Sequence, residues 1–344
     1  MSCNIFGHTN EDITQILEPC IQNPKNHLGI EFDFDLFITP NFVSEGCTYE
    51  DLKTKKLVIA NYDICTSLKD DLFPTINDFV NNGDIEVFVL TPHYLLNDKD
   101  KPNLFKYDTI DFFINQFKSD RSTGHLEFSI FNDVYQSHQT FLKPKKLLVY
   151  LGSYRDYRHR LFNYLQEKYS NEIWLSYNAV SNDPGKKVYL DFLNGKTIPQ
   201  LTNMGVFLTS YFSIIFDTIF DETTKCNDYS NIKFTDKIYR AIRMYHPFIY
   251  MGQSGALKKF RELGFKTFPQ LFDEAYDDIM SPMKRYRYIL TQIDYIMSKD
   301  SVELFDMVKS VDNTLRHNFN NIDICATSLK KSLNEKVLEF IIDV

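Results

Sequence analysis

In the stretch FTDKIYRAIRMY (residues 234–245) a hydroxyl, a carboxylate and an ammonium stand side by side as Thr235, Asp236 and Lys237. Thr235 or Asp236 can cap the first turn of a helix that begins here, which leaves Lys237 to project from it. Gathered at a helix start, the three can instead hold ribose hydroxyls and a diphosphate together. HPFIYMG (246–252) follows as a buried strand and QSGALKKFRELG (253–264) as a helix that Gly264 terminates. The small-residue turn between them, with Gly252, Ser254 and Gly255, predicts either a tight strand-to-helix connection or backbone N–H groups presented to a phosphate.

A second cluster, GSYRDYRHR (152–160), comes directly after the strand-like KKLLVYLGS (145–153). It brings Ser153, Arg155, Arg158, His159 and Arg160 to a strand-to-helix turn, where open α/β sheets bind ligands. Cations at a helix start oppose the helix dipole, so an anionic ligand is the motive this pattern suggests. In FSIIFDTIFDETTK (212–225), Asp217 ends an aromatic, β-branched run, either as a plain turn residue or as a carboxylate sharing a cleft with Asp236. Near the amino terminus Asp33-Phe34-Asp35 forms a D-x-D pair. It precedes any complete βαβ unit, which favours a surface or acceptor-side role over a metal site.

The elements that must position these groups alternate in type. KKLVIANYDI (55–64) and DIEVFVLTP (84–92) read as strands around a helical DDLFPTINDFVNNG (70–83), which predicts a parallel α/β sheet. Residues 118–144 are polar and turn-rich and read as the crossing between two lobes. Past it, YRHRLFNYLQEKYS (157–170) reads as a helix, EIWLSYN (172–178) as a strand, and MGVFLTSYFSIIFDT (204–218) as a β-branched and aromatic run. FDEAYDDI (272–279) is an acidic loop or helix start, and from about residue 283 the pattern is helical.

With 344 residues, 43% of them apolar and 15% aromatic, the chain can fill more than one core. The six cysteines form no C-x-x-C pair or Cys/His cluster, so no zinc site is expected. A net charge of −8 argues against a protein dedicated to DNA binding, although the Lys284–Tyr288 run interleaves cations with aromatic rings. No apolar run reaches the length of a membrane span and no leader is apparent, so a cytoplasmic protein without a membrane partner is expected. The absence of G-x-S-x-G, Walker and G-x-G-x-x-G patterns removes hydrolase-triad, ATPase and dehydrogenase readings.

Taken in order, the SYRDYR turn (153–158), FDT (216–218), TDKI (235–238) and HPFIYMG (246–252) resemble the donor half of GT-B glycosyltransferases of the α1,3-fucosyltransferase type. HPFIYMGQSGALKKFRELGFKTF (246–268) followed by FDEAYDDI also resembles uncharacterised proteins of large tailed bacteriophages. The resemblance covers residues 145–290; the first 140 residues match no family by eye. It implies an α/β fold of two Rossmann-like lobes with C-terminal helices: an acceptor lobe at 1–140, a nucleotide-sugar lobe at 145–290, and helices at 291–344 packing back across the cleft. It implies a nucleotide-sugar donor with no metal or other cofactor. Lys237 and an arginine, Arg158 or else Arg160, would hold the donor diphosphate. Asp236 would bind the ribose where the family usually has Glu, and Asp217 likewise replaces a Glu. The acceptor base would come from the N-terminal lobe, among Asp33, Asp35, Asp63 and His93. Expected acceptors are a hydroxymethylated base in double-stranded phage DNA, flipped out to be reached, or a surface or protein glycan. The alternative is a non-catalytic binding or virion protein of the same fold.

Overall fold

The structure is a computed structural model, and it describes residues 3–7, 34–39, 56–61, 86–90, 104–107, 128–152, 154–177, 204–217, 220, 232, 234 and 236–342. The chain divides into two compact units, one of residues 1–117 and 324–344 and the other of residues 118–323.

The first unit holds five parallel strands, β1 (Cys3–Gly7), β2 (Phe34–Thr39), β3 (Lys56–Asn61), β4 (Glu86–Leu90) and β5 (Leu104–Tyr107). They lie in chain order, β1-β2-β3-β4-β5, so the chain never reverses its direction of travel across this sheet. That differs from the doubly wound orders, in which the reversal creates the ligand crevice. The strands expected at 55–64 and 84–92 are β3 and β4. The helix expected over 70–83 lies outside the described residues.

The second unit is built on four parallel strands, β6 (Lys145–Tyr150), β7 (Ile173–Ser176), β8 (Ser210–Phe216) and β9 (Phe248–Met251), in the order β7-β6-β8-β9. Every residue of β8 and β9 is buried, as the unbroken apolar runs SYFSIIF and FIYM require of strands covered on both faces. Its helices are α1 (Phe128–Thr140), α2 (Asp156–Tyr169), α3 (Met204–Leu208), α4 (Asp236–Arg243), α5 (Ala256–Glu262), α6 (Pro282–Met297), α7 (Ser301–Ser310) and the start of α8 (Asp312–Ile342), whose residues from 324 on belong to the first unit. On one side of the sheet Leu148 packs with Val134 of α1, Val206 and Phe207 of α3, and Met244 after α4. Elsewhere Tyr164 and Tyr169 of α2 donate to Asp294 of α6 at 2.5 and 2.7 Å.

Two expectations are corrected. The turn-rich crossing at 118–144 contains a 13-residue helix, α1, whose buried face is Val134, Ser137 and His138. The continuous run at 204–218 is broken into α3 and β8 at Thr209. There the Thr209 and Ser210 hydroxyls donate back to the Gly205 and Val206 carbonyls, both at 2.5 Å, closing the helix before the strand begins.

The start of α8 docks through polar contacts with main chain. Asn318 accepts from the Lys266 N–H at 2.7 Å and donates to its carbonyl at 2.8 Å, and Asn321 donates to the Leu263 carbonyl at 3.1 Å. Phe319 stacks on Tyr245 with ring centroids 4.4 Å apart. Tyr245 is left-handed, at φ 49°, and closes α4: its N–H reaches the Ile242 carbonyl and the next N–H, of His246, reaches that of Ala241. That turn delivers His246 beneath the sheet.

Candidate functional site

The strand order β7-β6-β8-β9 places a topological switch between β6 and β8, because the chain leaves β6 toward one edge and returns to its other side. Ligands of open α/β sheets bind outside the carboxyl ends of such strands. The basic turn after β6 lies there. Its guanidiniums do not converge. Arg155 and Arg160 are exposed, and Arg155 donates to the Tyr154 carbonyl at 3.2 Å; Ser153 lies outside the described residues. Arg158 is buried and turns across the switch to donate to the carbonyls of Asp217, at 2.9 Å, and Phe216, at 3.4 Å, over the Phe216 ring. The main-chain oxygens at the end of β8 therefore provide the negative partner that the sequence pattern suggested a ligand would supply. Gly152, at φ +62°, gives this side chain its passage.

Asp217 is buried at the end of β8, its N–H bonded to the Met251 carbonyl at 2.9 Å and its carboxylate accepting a short hydrogen bond from the Tyr250 hydroxyl. Burial, reinforced by this carboxylate, pushes the Tyr250 phenol well above its ordinary range. The ring of Tyr250 also passes beneath Gly252: a Cβ there would lie 2.2 Å from Cε1. Gly252 is thus required by the packing of a tyrosine.

The strand-to-helix turn is likewise filled from within. The Asp277 carboxylate accepts from the N–H groups of Leu257 and Lys258 at 2.9 and 3.0 Å, and its carbonyl accepts from the Gly255 N–H at 2.7 Å and the Ser254 hydroxyl at 2.9 Å. Asp277 belongs to FDEAYDDI, whose residues Ala275–Asp278 form a 3-10 turn. Of the two readings of Gly252, Ser254 and Gly255, the tight strand-to-helix connection describes these contacts: the Asp277 carboxylate meets two of the helix amides, and its carbonyl meets the Gly255 N–H and the Ser254 hydroxyl. Burial raises the Asp277 carboxyl, while the two amides work in the opposite direction. Replacing Asp277 with alanine removes a cap and leaves buried N–H groups unmet, so urea unfolding should register a loss of about 2 kcal/mol.

Lys237 has a different setting. In the first turn of α4 it lines a recess with Arg240 and Ala241 of the same helix, Ser213, Ile214 and Ile215 of β8, Tyr150 at the end of β6, and Phe207 of α3. The recess is small and open to solvent at its mouth. Lys237 and Arg240, three residues apart, share one helix face, so two cations meet a largely apolar wall near the switch point. Asp236 opens α4 beside them, and Thr235 lies outside the described residues.

Behind this wall sits a buried polar cluster. Ser213 and His246 are hydrogen-bonded, Oγ to Nδ1, at 2.7 Å, and the His246 Nε2 donates to the Ser210 carbonyl at 2.8 Å. The His138 ring lies 5.2 Å from that of His246, and Lys143 donates to Ser137 Oγ and to the Phe207 and Leu208 carbonyls. Burial pushes His246 down to about 3, His138 well below its usual value and Lys143 down to about 7. Sequence reasoning passed over this cluster and Arg240. The spacing of Lys237 and Arg240 was a readable sign; Ser213 and His246, in separate strand-like runs, gave none.

Of the acceptor-side candidates, Asp35 is the second residue of β2, in register with Asn4 and Leu57 at the amino end of the strand. That is the end opposite to the one where such sheets bind ligands. Asp33, Asp63 and His93 lie outside the described residues. Among the described residues no group of three or more His, Cys, Asp or Glu side chains could hold a metal ion, and no helix is long and apolar enough to cross a membrane. No family model, curated protein or solved structure matches this chain.

Proposed function

We propose that this protein is a cytoplasmic glycosyltransferase that moves a sugar from a nucleotide-sugar donor to an acceptor hydroxyl, through two Rossmann-like lobes in the GT-B manner and without a metal. The observation that carries the reading is the recess at the switch point of the four-stranded sheet, where Lys237 and Arg240 meet. A leaving nucleoside diphosphate gathers negative charge as the glycosidic bond breaks, and fixed cations lower that barrier. In this reading Arg240 takes the part first expected of Arg158, whose guanidinium is bonded to main-chain carbonyls. The acceptor, a hydroxymethylated base of phage DNA or a surface or protein glycan, belongs to the N-terminal unit. Asp63 and His93 are the bases favoured there, because they follow the carboxyl ends of β3 and β4 in the chain.

A non-catalytic binding or virion protein of this fold is the second reading. What favours it is the internal filling of two expected donor-binding elements, by Asp277 and by the Phe216 and Asp217 carbonyls.

A thermal-shift series with UDP-, GDP-, CMP- and dTDP-sugars in metal-free buffer separates the two. A donor at a hundred times its Kd stabilises by about 2.7 kcal/mol, which raises Tm by roughly 4 °C in a cooperatively unfolding chain of 344 residues. One donor should produce that shift, and Lys237→Ala should abolish it. Silence from all four donors selects the binding-protein reading.

A further inference from the structure

We infer that Arg155, Arg160, Lys284 and Arg287, on the outer face of α2 and α6 at their amino ends, form a docking surface for the phosphate backbone of a nucleic-acid duplex. The inference goes beyond the transferase reading and does not rest on the recess.

The two helices lie side by side and run the same way. The Tyr157 ring stands 5.5 Å from that of Tyr286 near their starts, and Tyr164 and Tyr169 reach Asp294 further along. Their amino ends therefore sit together. Arg160 is one turn beyond Tyr157 on α2. Burial raises the Tyr286 phenol to about 12 and Arg160 opposes the rise, so its guanidinium lies on the α6 side. Arg287 follows Tyr286, Lys284 is a turn earlier on α6, and Arg155 directly precedes α2. All four side chains are exposed.

No carboxylate among the described residues holds these cations. Arg155 donates to the Tyr154 carbonyl, and Arg160, Lys284 and Arg287 form no ion pair with a described residue. The nearby carboxylates of the two helices are engaged elsewhere: Asp156 accepts from the Tyr154 hydroxyl at 3.1 Å, and Asp294 takes two tyrosine hydroxyls, with Lys168 3.7 Å away. Glu167 lies two turns past Arg160. The helices gain nothing from the arrangement. Cations at an amino end oppose the macrodipole, and the first turn of α6 holds no acidic residue to offset them. On a chain of net charge −8, four cations gathered where they cost helix stability are explained by an anionic partner that meets them locally.

The rest of the face selects among anions. Within the run Lys284–Tyr288 the rings are turned away from solvent partners: Tyr286 is buried and the Tyr288 hydroxyl is given to Asp273. The run therefore offers cations to phosphates rather than rings to bases, and such contacts position a nucleic acid without reading its sequence. Three of the four cations are guanidiniums, whose fork matches a pair of phosphate oxygens. An acidic peptide has the same sign but must order its own backbone on binding, whereas a stiff duplex brings its charges already in place.

The test follows binding of a short mixed-sequence DNA duplex to the full chain by fluorescence anisotropy as salt is raised. Each cation that meets a phosphate adds about −0.9 to the slope of log K against log salt, so four give about −3.6. Arg160→Gln combined with Arg287→Gln should weaken binding and halve the slope to about −1.8, while Lys309→Gln on α7 should leave it unchanged. The substituted side chains are exposed, so the double variant should unfold in urea as wild type does. Absence of duplex binding at low salt overturns the inference. A slope that the double variant leaves intact, or that Lys309→Gln lowers equally, overturns it as well. Displacement of the duplex by poly-glutamate at equal charge would make the partner an acidic protein and overturn the assignment to nucleic acid. None of these outcomes alters the nucleotide-sugar thermal shifts, so the two proposals fail separately.

Discussion

Gly252→Ala should destabilise the second unit by about 3 kcal/mol, the upper end for forcing a methyl into a packed core. The added Cβ would stand 2.2 Å from a ring carbon of Tyr250, a side chain with 2% of its surface exposed. The ring has little room to yield. Phe234 lies against it at 5.7 Å, the Tyr276 hydroxyl accepts from its main-chain N–H, and its own hydroxyl is tied to Asp217. Tyr250→Phe removes the hydroxyl and keeps the ring, so it should leave the Gly252→Ala penalty intact; Tyr250→Leu should shrink it, a coupling that a double-mutant cycle resolves. A Gly252→Ala protein within about 0.5 kcal/mol of wild type in urea would refute the close approach and return Gly252 to the ligand-binding role.

Acid should unfold this unit earlier than its carboxylates alone would dictate. His246 is held neutral at a pKa of about 3, against an ordinary 6.5, and His138 is depressed as well. Below pH 6.5 the unfolded chain binds protons at these rings that the folded chain refuses. The stability present above pH 6.5 is therefore lost as pH falls toward 3, at about 1.4 kcal/mol per pH unit for each ring. Lys143 extends the slope upward: at about 7 against 10.5, it is protonated in the unfolded chain and neutral in the folded one between those values, so stability rises with pH across that window. Above pH 10 the buried tyrosines reverse the trend, since Tyr250 and Tyr276 hold their protons in the folded state. Urea midpoints from pH 4 to 9 should climb throughout, and His246→Gln should flatten the acid limb by about half. A flat acid limb in wild type would mean that the pair is solvated.

The sequence announced the elements whose burial is simple. β6, β7 and β9 are β-branched or aromatic runs between polar turns, and α2 and α4 lie within the stretches whose spacing reads as helical. It hid α1 because the buried face of that helix is Val134, Ser137 and His138, two of them polar, and the partner that lets His138 be buried, the Met244 carbonyl, is distant in the chain. It hid α3 because MGVFL is as apolar as the strand after it, and only two hydroxyls returning to helix carbonyls mark the break. Of the residues singled out, Lys237 lines a recess with Arg240. The partners of Arg158 and of the Gly252–Gly255 turn, the carbonyls of residues 216 and 217 and the carboxylate of Asp277, are supplied by tertiary structure and could not be read locally.

The helix α8 is shared: residues 312–323 belong to the second unit and residues 324–342 to the first. On the ribosome, the five strands of the first unit emerge well before the segment that completes it. Roughly two hundred residues separate them, a delay of about 10 to 40 seconds at ordinary elongation rates. Residues 118–323 can close on themselves in that interval. The amino-terminal sheet waits for residues 324–344, so a nascent chain that stalls just before them carries a finished second unit and an unfinished first.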